Sequence, residues 1–307
     1  MTLRPNIIIL GASSLIAPWI LKRLAQKNYN GQCFSRTQIS VEGANNFIWH
    51  ELDITVPNRF TPLSQSVVIS LLPLWLLPPL LPRLEECQQL IAFSTTSIFG
   101  KSDSPNLEEQ KLIKTIKTAE EEMIKISAEM KIPWTILRPT LIYDGQNDQN
   151  ITAMARFIQK WRVLPLARPA NGLRQPVHAD DLAAAAVSTI GNPSAYNRNF
   201  NLGGKEILTY QQMSRQVFKA LGKPSRILPL PLKLILTTCN LVNLITTKKP
   251  NAAMFMRMNQ DLIYDYTNAV KALNYSPRPF LPDFQKIEKN SVSIQRRKKM
   301  SHFSFFT

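Results

Sequence analysis

The residues that could do chemistry sit in short stretches at the ends of apolar runs. In Asn6-Ile-Ile-Ile-Leu-Gly11-Ala-Ser-Ser-Leu-Ile-Ala17, strand formers meet a glycine, and Leu15, Ile16, Trp19, Ile20 and Leu24 then recur at helical spacing. Strand, tight turn and helix in that order leave free N–H groups and the positive end of a helix dipole facing one point, which suits a phosphate. A G-x-x-G-x-x-G loop would need two more glycines; Ser14 and Ala17 stand in their places. A second apolar run, Leu90-Ile-Ala-Phe, ends in four hydroxyl residues, Ser94, Thr95, Thr96 and Ser97. Ligands of open α/β sheets bind at such C-terminal strand ends. Arg36 follows the run Gln32–Ser35. An acidic residue there would bond a ribose 2′-hydroxyl and favour NAD, whereas an arginine suits the 2′-phosphate of NADP; the alternative is a solvated surface arginine. Asp53, closing the run Asn46–Ile54, could accept from an adenine amino group or cap the next turn.

These residues need a frame to hold them. The spacing predicts strands over Ile7–Leu10, Gln32–Ser35, Asn46–Ile54, Val67–Leu71, from Leu90, and over Pro133–Pro139. The second, third and fourth of these follow a helix over about Ser13–Lys27; a longer helix, about Asn106–Lys131, carries Leu112, Ile113, Ile116, Met123, Ile126 and Met130 as an apolar stripe. Val67 is followed by an uncharged segment to Leu81, but Pro73, Pro78 and Pro79 break any continuous span, so a buried strand, a loop and a short helix are expected there. Six strands alternating with helices give a Rossmann-like, doubly wound parallel sheet with right-handed crossovers, α/β in class. The expected division is a Rossmann domain over 1–145, completed by about 174–202. A smaller, interleaved C-terminal substrate region covers 146–173 and 203–284, and a basic, disordered tail 285–307.

At 307 residues and 44% hydrophobic content the chain can bury a sizeable core. Cys33, Cys87 and Cys239 are too scattered for a disulfide framework or a zinc motif, so no metal is expected and a reducing compartment is. The opening apolar run is too short for a signal peptide. A cytoplasmic protein is expected, with the inner face of a membrane within reach.

The motifs also occur in an informative order. The Gly11 turn is followed by Asp53-Ile54, Phe93-Ser94-Thr95-Thr96-Ser97-Ile98-Phe99-Gly100, Lys117-Thr-Ala-Glu120, Leu137-Arg138-Pro139 with Tyr143, Arg174-Gln-Pro-Val-His178-Ala-Asp180-Asp181-Leu182-Ala183, and Phe200-Asn201-Leu202-Gly203-Gly204. This order resembles the NAD(P)-dependent epimerase/dehydratase group of short-chain dehydrogenases/reductases over most of residues 6–284. The resemblance implies cofactor contacts from Gly11, Ala12, Ser13, Ser14, Leu15, Ile16, Arg36, Asp53, Ile54, Leu71, Ser94, Lys117 and Pro139, with NADP favoured by Arg36 and NAD as the alternative. It also implies a Tyr and a Lys four apart on the helix after strand five, with a hydroxyl at the strand end holding the reacting oxygen. Lys117 fits the lysine and Thr95 the hydroxyl, but Ile113 occupies the tyrosine position, and the chain has no tyrosine between Tyr29 and Tyr143.

Three outcomes follow. Another acid replaces the phenol, with Tyr143, His178 and Asp144 as candidates; the substrate needs little protein acid; or the cofactor is held without turnover, a case that atypical members of the group resemble, including a nucleotide-binding accessory subunit of respiratory complex I. Tyr143 as a packed core residue, His178 as a structural histidine bonding neighbouring backbone, and Lys117 as a solvated lysine are the plain alternatives. The first reading is an oxidoreductase or epimerase acting on a small anionic substrate such as a nucleotide sugar, or on another small carbonyl or alcohol. The second is a non-catalytic dinucleotide-binding accessory, sensor or assembly protein.

The second half supplies the substrate side. Residues from about Gln146 to Gly172 are basic and aromatic and are expected over the cleft, Asp180 or Asp181 is expected to cap a helix Leu182–Ile190, and Thr209–Leu221 reads as a helix capped by Thr209 and stopped by Gly222. The apolar Pro229–Ile245 stretch is either a packed helix or an interfacial one touching lipid. Lys+Arg 37 against Asp+Glu 21 gives a net charge of +16. With no nucleic-acid-binding motif, no nucleic acid is expected; anionic ligands, an anionic membrane surface or plain solvation are left to account for the charge.

Overall fold

A computed structural model describes residues 4–56, 65–84, 86–237 and 252–284. In chain order the elements are β1 (Asn6–Leu10), α1 (Ala17–Gln26), β2 (Gly31–Ser35), β3 (Phe47–Glu51), β4 (Ser66–Ser70), two 3-10 turns (Leu74–Leu76 and Pro78–Arg83), β5 (Cys87–Phe93), α2 (Ser97–Gly100), α3 (Leu107–Glu129) and β6 (Trp134–Pro139). There follow β7 (Ile142–Tyr143), α4 (Ile151–Trp161), β8 (Leu164–Ala167), β9 (Leu173–Arg174), β10 (Val177–His178), α5 (Ala179–Ser188), β11 (Arg198–Leu202), β12 (Leu208–Thr209), α6 (Tyr210–Ala220), β13 (Ile227–Leu230), α7 (Ala252–Arg257) and α8 (Thr267–Leu273).

The central sheet has seven strands in the order β11-β6-β5-β4-β1-β2-β3. Every pairing within it is parallel. The six expected strands are all present, and Arg198–Leu202 adds the seventh beside β6. The two-residue alternation of a strand sorts its side chains onto two cores. Ile7, Ile9, Ile91, Phe93 and Leu137 face α1 and α5, while Ile8, Leu10, Leu90, Ala92 and Ile136 face α3 and the Leu74–Leu84 segment. Both faces are covered, as a parallel sheet requires. A third, smaller core gathers Ile151, Ile158, Leu166, Val217, Phe218 and Phe280 from the second half.

Local departures from the sequence reading have identifiable causes. Helix α1 begins at Ala17 rather than near Ser13, because residues 11–16 form turns and Pro18 sits in the first helical turn. Helix α5 begins at Ala179 and is capped by His178, whose Nδ1 accepts from Asp180 N at 3.0 Å; neither aspartate caps it. The third strand stops at Glu51, two residues before Asp53. Helix α6 has the expected cap, a reciprocal Thr209–Gln212 box, and Gly222 follows it at φ +61°. Of the Pro229–Ile245 stretch, residues up to 237 are described and 232–237 are helical; the remainder, and the tail from 285, lie outside the described residues.

One buried ion pair ties the long helix to the sheet. Arg138 on β6 donates through Nε to Glu120 Oε1 at 3.0 Å and through its second nitrogen to Glu120 Oε2, while its remaining nitrogen reaches Asn199 Oδ1 on β11 at 2.9 Å. Both side chains are almost wholly enclosed. Removing one partner strands the other charge, a loss of about 3 kcal/mol or more. Glu120→Ala is therefore expected to lower unfolding free energy by that amount in denaturant titration, whereas the double variant Glu120→Leu/Arg138→Leu should lose less than Glu120→Ala alone.

Candidate functional site

The strand order reverses between β1 and β4, and the crevice at their C-terminal ends is where ligands of such sheets bind. Gly11 opens the turn there at φ +75°, and a Cβ on it would come within 2.9 Å of the Leu71 carbonyl carbon. Only glycine combines this conformation with this close approach. Gly11 N and Ala12 N are spent on Phe34 O, and Ser14 N on Gly11 O. Among the described residues, the N–H groups of Ser13, Leu15 and Ile16 donate to no protein acceptor. They precede α1 at the positive end of its dipole.

Three serine hydroxyls at this edge are enclosed without a hydrogen bond: Ser14 after β1, Ser70 at the end of β4 and Ser94 after β5. A buried hydroxyl without a partner costs about 1–3 kcal/mol. Three of them along one crevice is an arrangement that a polar ligand would satisfy. Ser70 is missing from the sequence reading; its only signal was a polar residue inside the otherwise apolar run Val67–Leu71.

The other candidates are placed as follows. Thr95 Oγ1 accepts from Ser97 N at 3.1 Å, opening α2, and Thr96 Oγ1 donates to Pro139 O at 3.0 Å. Arg36 is exposed. Asp53 caps its own turn, accepting from Thr55 N at 3.0 Å and Thr55 Oγ1 at 2.6 Å, and these bonds hold its carboxyl below the usual range. Ile54 and Leu71 are buried beside the crevice. Ile113 lies in the α3 core at 3% exposure. Lys117 is exposed on the same helix, and its Nζ donates to Ser102 Oγ at 3.0 Å. Among the described residues no hydrogen bond joins Lys117 to Thr95.

Tyr143 and His178 do come together, in the two-stranded pair of β7 and β10, with rings edge to face at 5.1 Å. Trp19 meets His178 from the α1 side at 5.0 Å and Phe280 meets Tyr143 at 5.0 Å. Burial pushes the Tyr143 phenol up to about 12, with the backbone of Leu281 opposing weakly, and its hydroxyl makes no hydrogen bond of good geometry. Burial, assisted by the Arg278 charge, pushes His178 down to about 4. A neutral imidazole whose Nδ1 accepts a backbone proton carries its own proton on Nε2. Below this pair, Asp180 accepts from Arg23 at 2.6 Å and Arg278 at 2.5 Å, and Arg278 also donates to Asp181 at 2.8 Å. Burial raises Asp180, but the two arginines outweigh it and hold the carboxyl below its usual range. Asp144 is raised by burial and accepts from the backbone of Gln146, Asn147 and Asp148, so it orders the loop before α4.

A cavity of roughly 240 Å³ opens between the turn after α2 and the segment around α7, with Ser104, Arg257, Gln260 and Asp261 on its wall. Arg257 is held bidentately by Glu109 at 2.6 and 3.0 Å. Lys101 is buried next to it, and burial lowers its ammonium to about 8.

Fold and crevice together define a Rossmann-type α/β protein. Residues 80–203, less than half of the chain, match the NAD dependent epimerase/dehydratase family, and this agrees with the motif order. Among curated proteins, the chain is 27% identical over 149 residues to chloroplast stem-loop binding protein of 41 kDa b of Arabidopsis thaliana, covering 48% of this chain and 39% of that protein. It is 26% identical over 114 residues to UDP-glucose 4-epimerase of Vibrio cholerae, covering 37% and 35%. It is 25% identical over 122 residues to NADH dehydrogenase [ubiquinone] 1 alpha subcomplex subunit 9, mitochondrial, of Arabidopsis thaliana, covering 39% and 29%. The matches thus span between 29% and 39% of these relatives' own length. UDP-glucuronic acid 4-epimerase from Bacillus cereus, solved in complex with UDP-glucuronic acid and NAD, superposes with a TM-score of 0.68 over 92% of this chain and 99% of that one; at 16% identity this is a likeness of fold. Among the described residues no helix is long and apolar enough to cross a membrane.

The His178 environment makes a pH prediction. Its folded-state value lies below the ordinary 6.5, so the unfolded chain gains this proton first as pH falls. The stability His178 lends is full above about pH 6.5 and is lost progressively towards pH 4, by up to about 3 kcal/mol. His178→Asn keeps an acceptor at the helix cap and removes the titration. Its melting temperature should vary less between pH 7 and pH 4.5 than that of the parent, roughly flattening the His-dependent part of the slope.

Proposed function

We propose that this chain binds NADP(H) or NAD(H) at the β1–β4 crevice and uses the bound dinucleotide as an accessory or sensing protein, without the tyrosine-dependent turnover that the family resemblance implies. The observation that carries the first half is the row of buried, unpartnered hydroxyls at Ser14, Ser70 and Ser94 beside the Gly11 turn. Residues 11–16 would hold the pyrophosphate, Arg36 the adenosine ribose side, and Ile54 with Leu71 the walls; Asp53 already caps its own turn. Arg36 favours NADP(H). A dinucleotide, when bound, supplies a hydride donor or acceptor.

The second half rests on proton chemistry. Ile113, in the position where the family resemblance implies tyrosine, is apolar and enclosed. Tyr143 is protonated throughout the physiological range and His178 is neutral throughout it, and both are packed among aromatic rings. A useful general acid has its pKa near the working pH. Neither side chain meets that requirement. The enzymatic reading, hydride transfer on a nucleotide sugar or another small carbonyl or alcohol with Thr95 holding the oxygen, draws on a different observation. Ser94 offers a hydroxyl with no protein partner at that strand end, and the cavity lined by Arg257 lies past α2. It suits a substrate needing little protein acid.

Thermal-shift titration separates these readings. NADPH should raise the melting temperature, and NADH should raise it less. Ser94→Ala removes an unpartnered hydroxyl, so the ligand-free protein should be as stable as the parent or more so, while the NADPH shift shrinks. No shift with either dinucleotide at millimolar concentration would sink the binding proposal. Oxidation of NADPH by a nucleotide sugar or simple carbonyl, lost in Lys117→Ala, would leave binding intact and establish the enzymatic reading instead.

A further inference from the structure

The positive charge of this chain is not spread over it. Between Asp148 and Asp180, and again between Glu206 and Asp261, the sequence has no Asp or Glu, yet these two stretches hold 13 of the 37 basic residues. The remainder has 24 basic and 21 acidic residues, a net +3 out of +16. The described parts of the two stretches fold on one core. Ile158 of α4, Leu166 of β8, Val217 and Phe218 of α6, and Ile235 share it, and β8 pairs with β13 in register from Leu164 with Ile227. The described parts of the acid-free sequence therefore share one basic lobe beside a nearly neutral sheet.

One side of that lobe is amphipathic. Trp161 and Phe157, four apart on α4, are 57% and 39% exposed with ring centroids 6.4 Å apart, and Lys160 Nζ lies 4.9 Å from the Trp161 ring centre. Arg162 then turns the chain in the left-handed conformation into β8, where Leu164 N donates to Arg226 O at 3.0 Å. This bond brings Arg226 next to the end of α4, and Leu228, 47% exposed, stands in register with Pro165 on the same strand pair. Lys160, Arg162 and Arg226 are all exposed.

We infer that this face docks on an anionic lipid surface. Charge complementarity supplies the attraction: a few Lys and Arg near an anionic leaflet accumulate affinity additively, and neither of the two stretches that carry them contains a carboxylate. The apolar side chains decide between polyanions. Indole and phenyl rings beside cations suit the headgroup boundary, and an aliphatic Leu228, exposed on the strand that follows Arg226, gains by entering the acyl edge. A nucleic acid would engage the cations and stack on rings, but gives an exposed leucine no apolar medium.

Flotation of the full-length protein with vesicles tests this. It should float with vesicles of phosphatidylcholine mixed with phosphatidylglycerol, not with phosphatidylcholine alone, and less at high salt. Trp161→Ser/Leu228→Ser and, separately, Lys160→Glu/Arg226→Glu should each weaken binding on the order of tenfold or more. Should Leu228→Ser lower the melting temperature, Trp161→Ser with Lys160→Glu reads the same face from exposed helix positions alone. Undiminished flotation of these variants would assign binding to another part of the chain, such as the Arg296–Lys299 run, and overturn the inference. Tight binding to a stem-loop RNA with no flotation would overturn it in favour of a nucleic-acid partner.

Discussion

The pairing of Arg138 with Glu120 fixes how α3 lies on the sheet, and much of the site depends on that. Two buried charges cannot be moved apart cheaply, so the helix cannot roll about its axis. Ile113, Ile116, Glu120 and Met123 are thereby set on the inner face. At about 100° per residue, Lys117 falls at the edge of that stripe, roughly 80° from its centre, and emerges into solvent. The same rotation holds Ile113 in the core. A larger side chain there would have to displace packing partners, since the space around it is filled.

At the switch point the balance runs the other way. Every strand there is apolar to its last residues, and the enclosed serines give up hydration without gaining a bond. Taken singly, an unpartnered hydroxyl is a minor defect. Three along one crevice amount to several kcal/mol of folding free energy forgone, a large fraction of what keeps a domain folded. Gly11 reinforces the point: its backbone approaches Leu71 as closely as a missing side chain permits, so this corner is built tight on the protein side and left unsatisfied on the ligand side.

The sheet was legible because strand periodicity and the Gly11 turn are local signals that tertiary packing reinforces. Ile7 and Ile9 against Ile8 and Leu10 announce a strand buried on both faces before any partner is known. Arg198–Leu202 was harder to read, since its alternating Asn199, Phe200 and Asn201 suggest a one-faced strand and only its place beside β6 makes it the seventh. The start of α1 was misread because helical spacing begins in the sequence at Leu15 while the backbone is still turning. The cap of α5 was misread because aspartates are the usual capping residues and here both are drawn off by Arg23 and Arg278, leaving an imidazole to accept the free N–H. For Lys117 and Asp53 the sequence left two alternatives open, and the choice between them depends on an ion pair between separate segments in one case and on a threonine two residues along in the other.

Charge ties the two halves of the molecule together as an argument about partners. A bound dinucleotide carries only a few negative charges and would contact the sheet edge, whose half of the chain is close to neutral. The thirteen cations of the acid-free stretches therefore exceed what such a ligand could need. Among the described residues, Arg174 turns inward onto the carbonyls of Leu173, Arg257 and Gln260, and Arg257 onto Glu109. They fasten the lobe together and to α3. Most of the others point to solvent, where mutual repulsion with no interspersed carboxylate opposes the folded lobe. A surface that keeps such a penalty while exposing tryptophan and leucine is shaped by something outside the crevice.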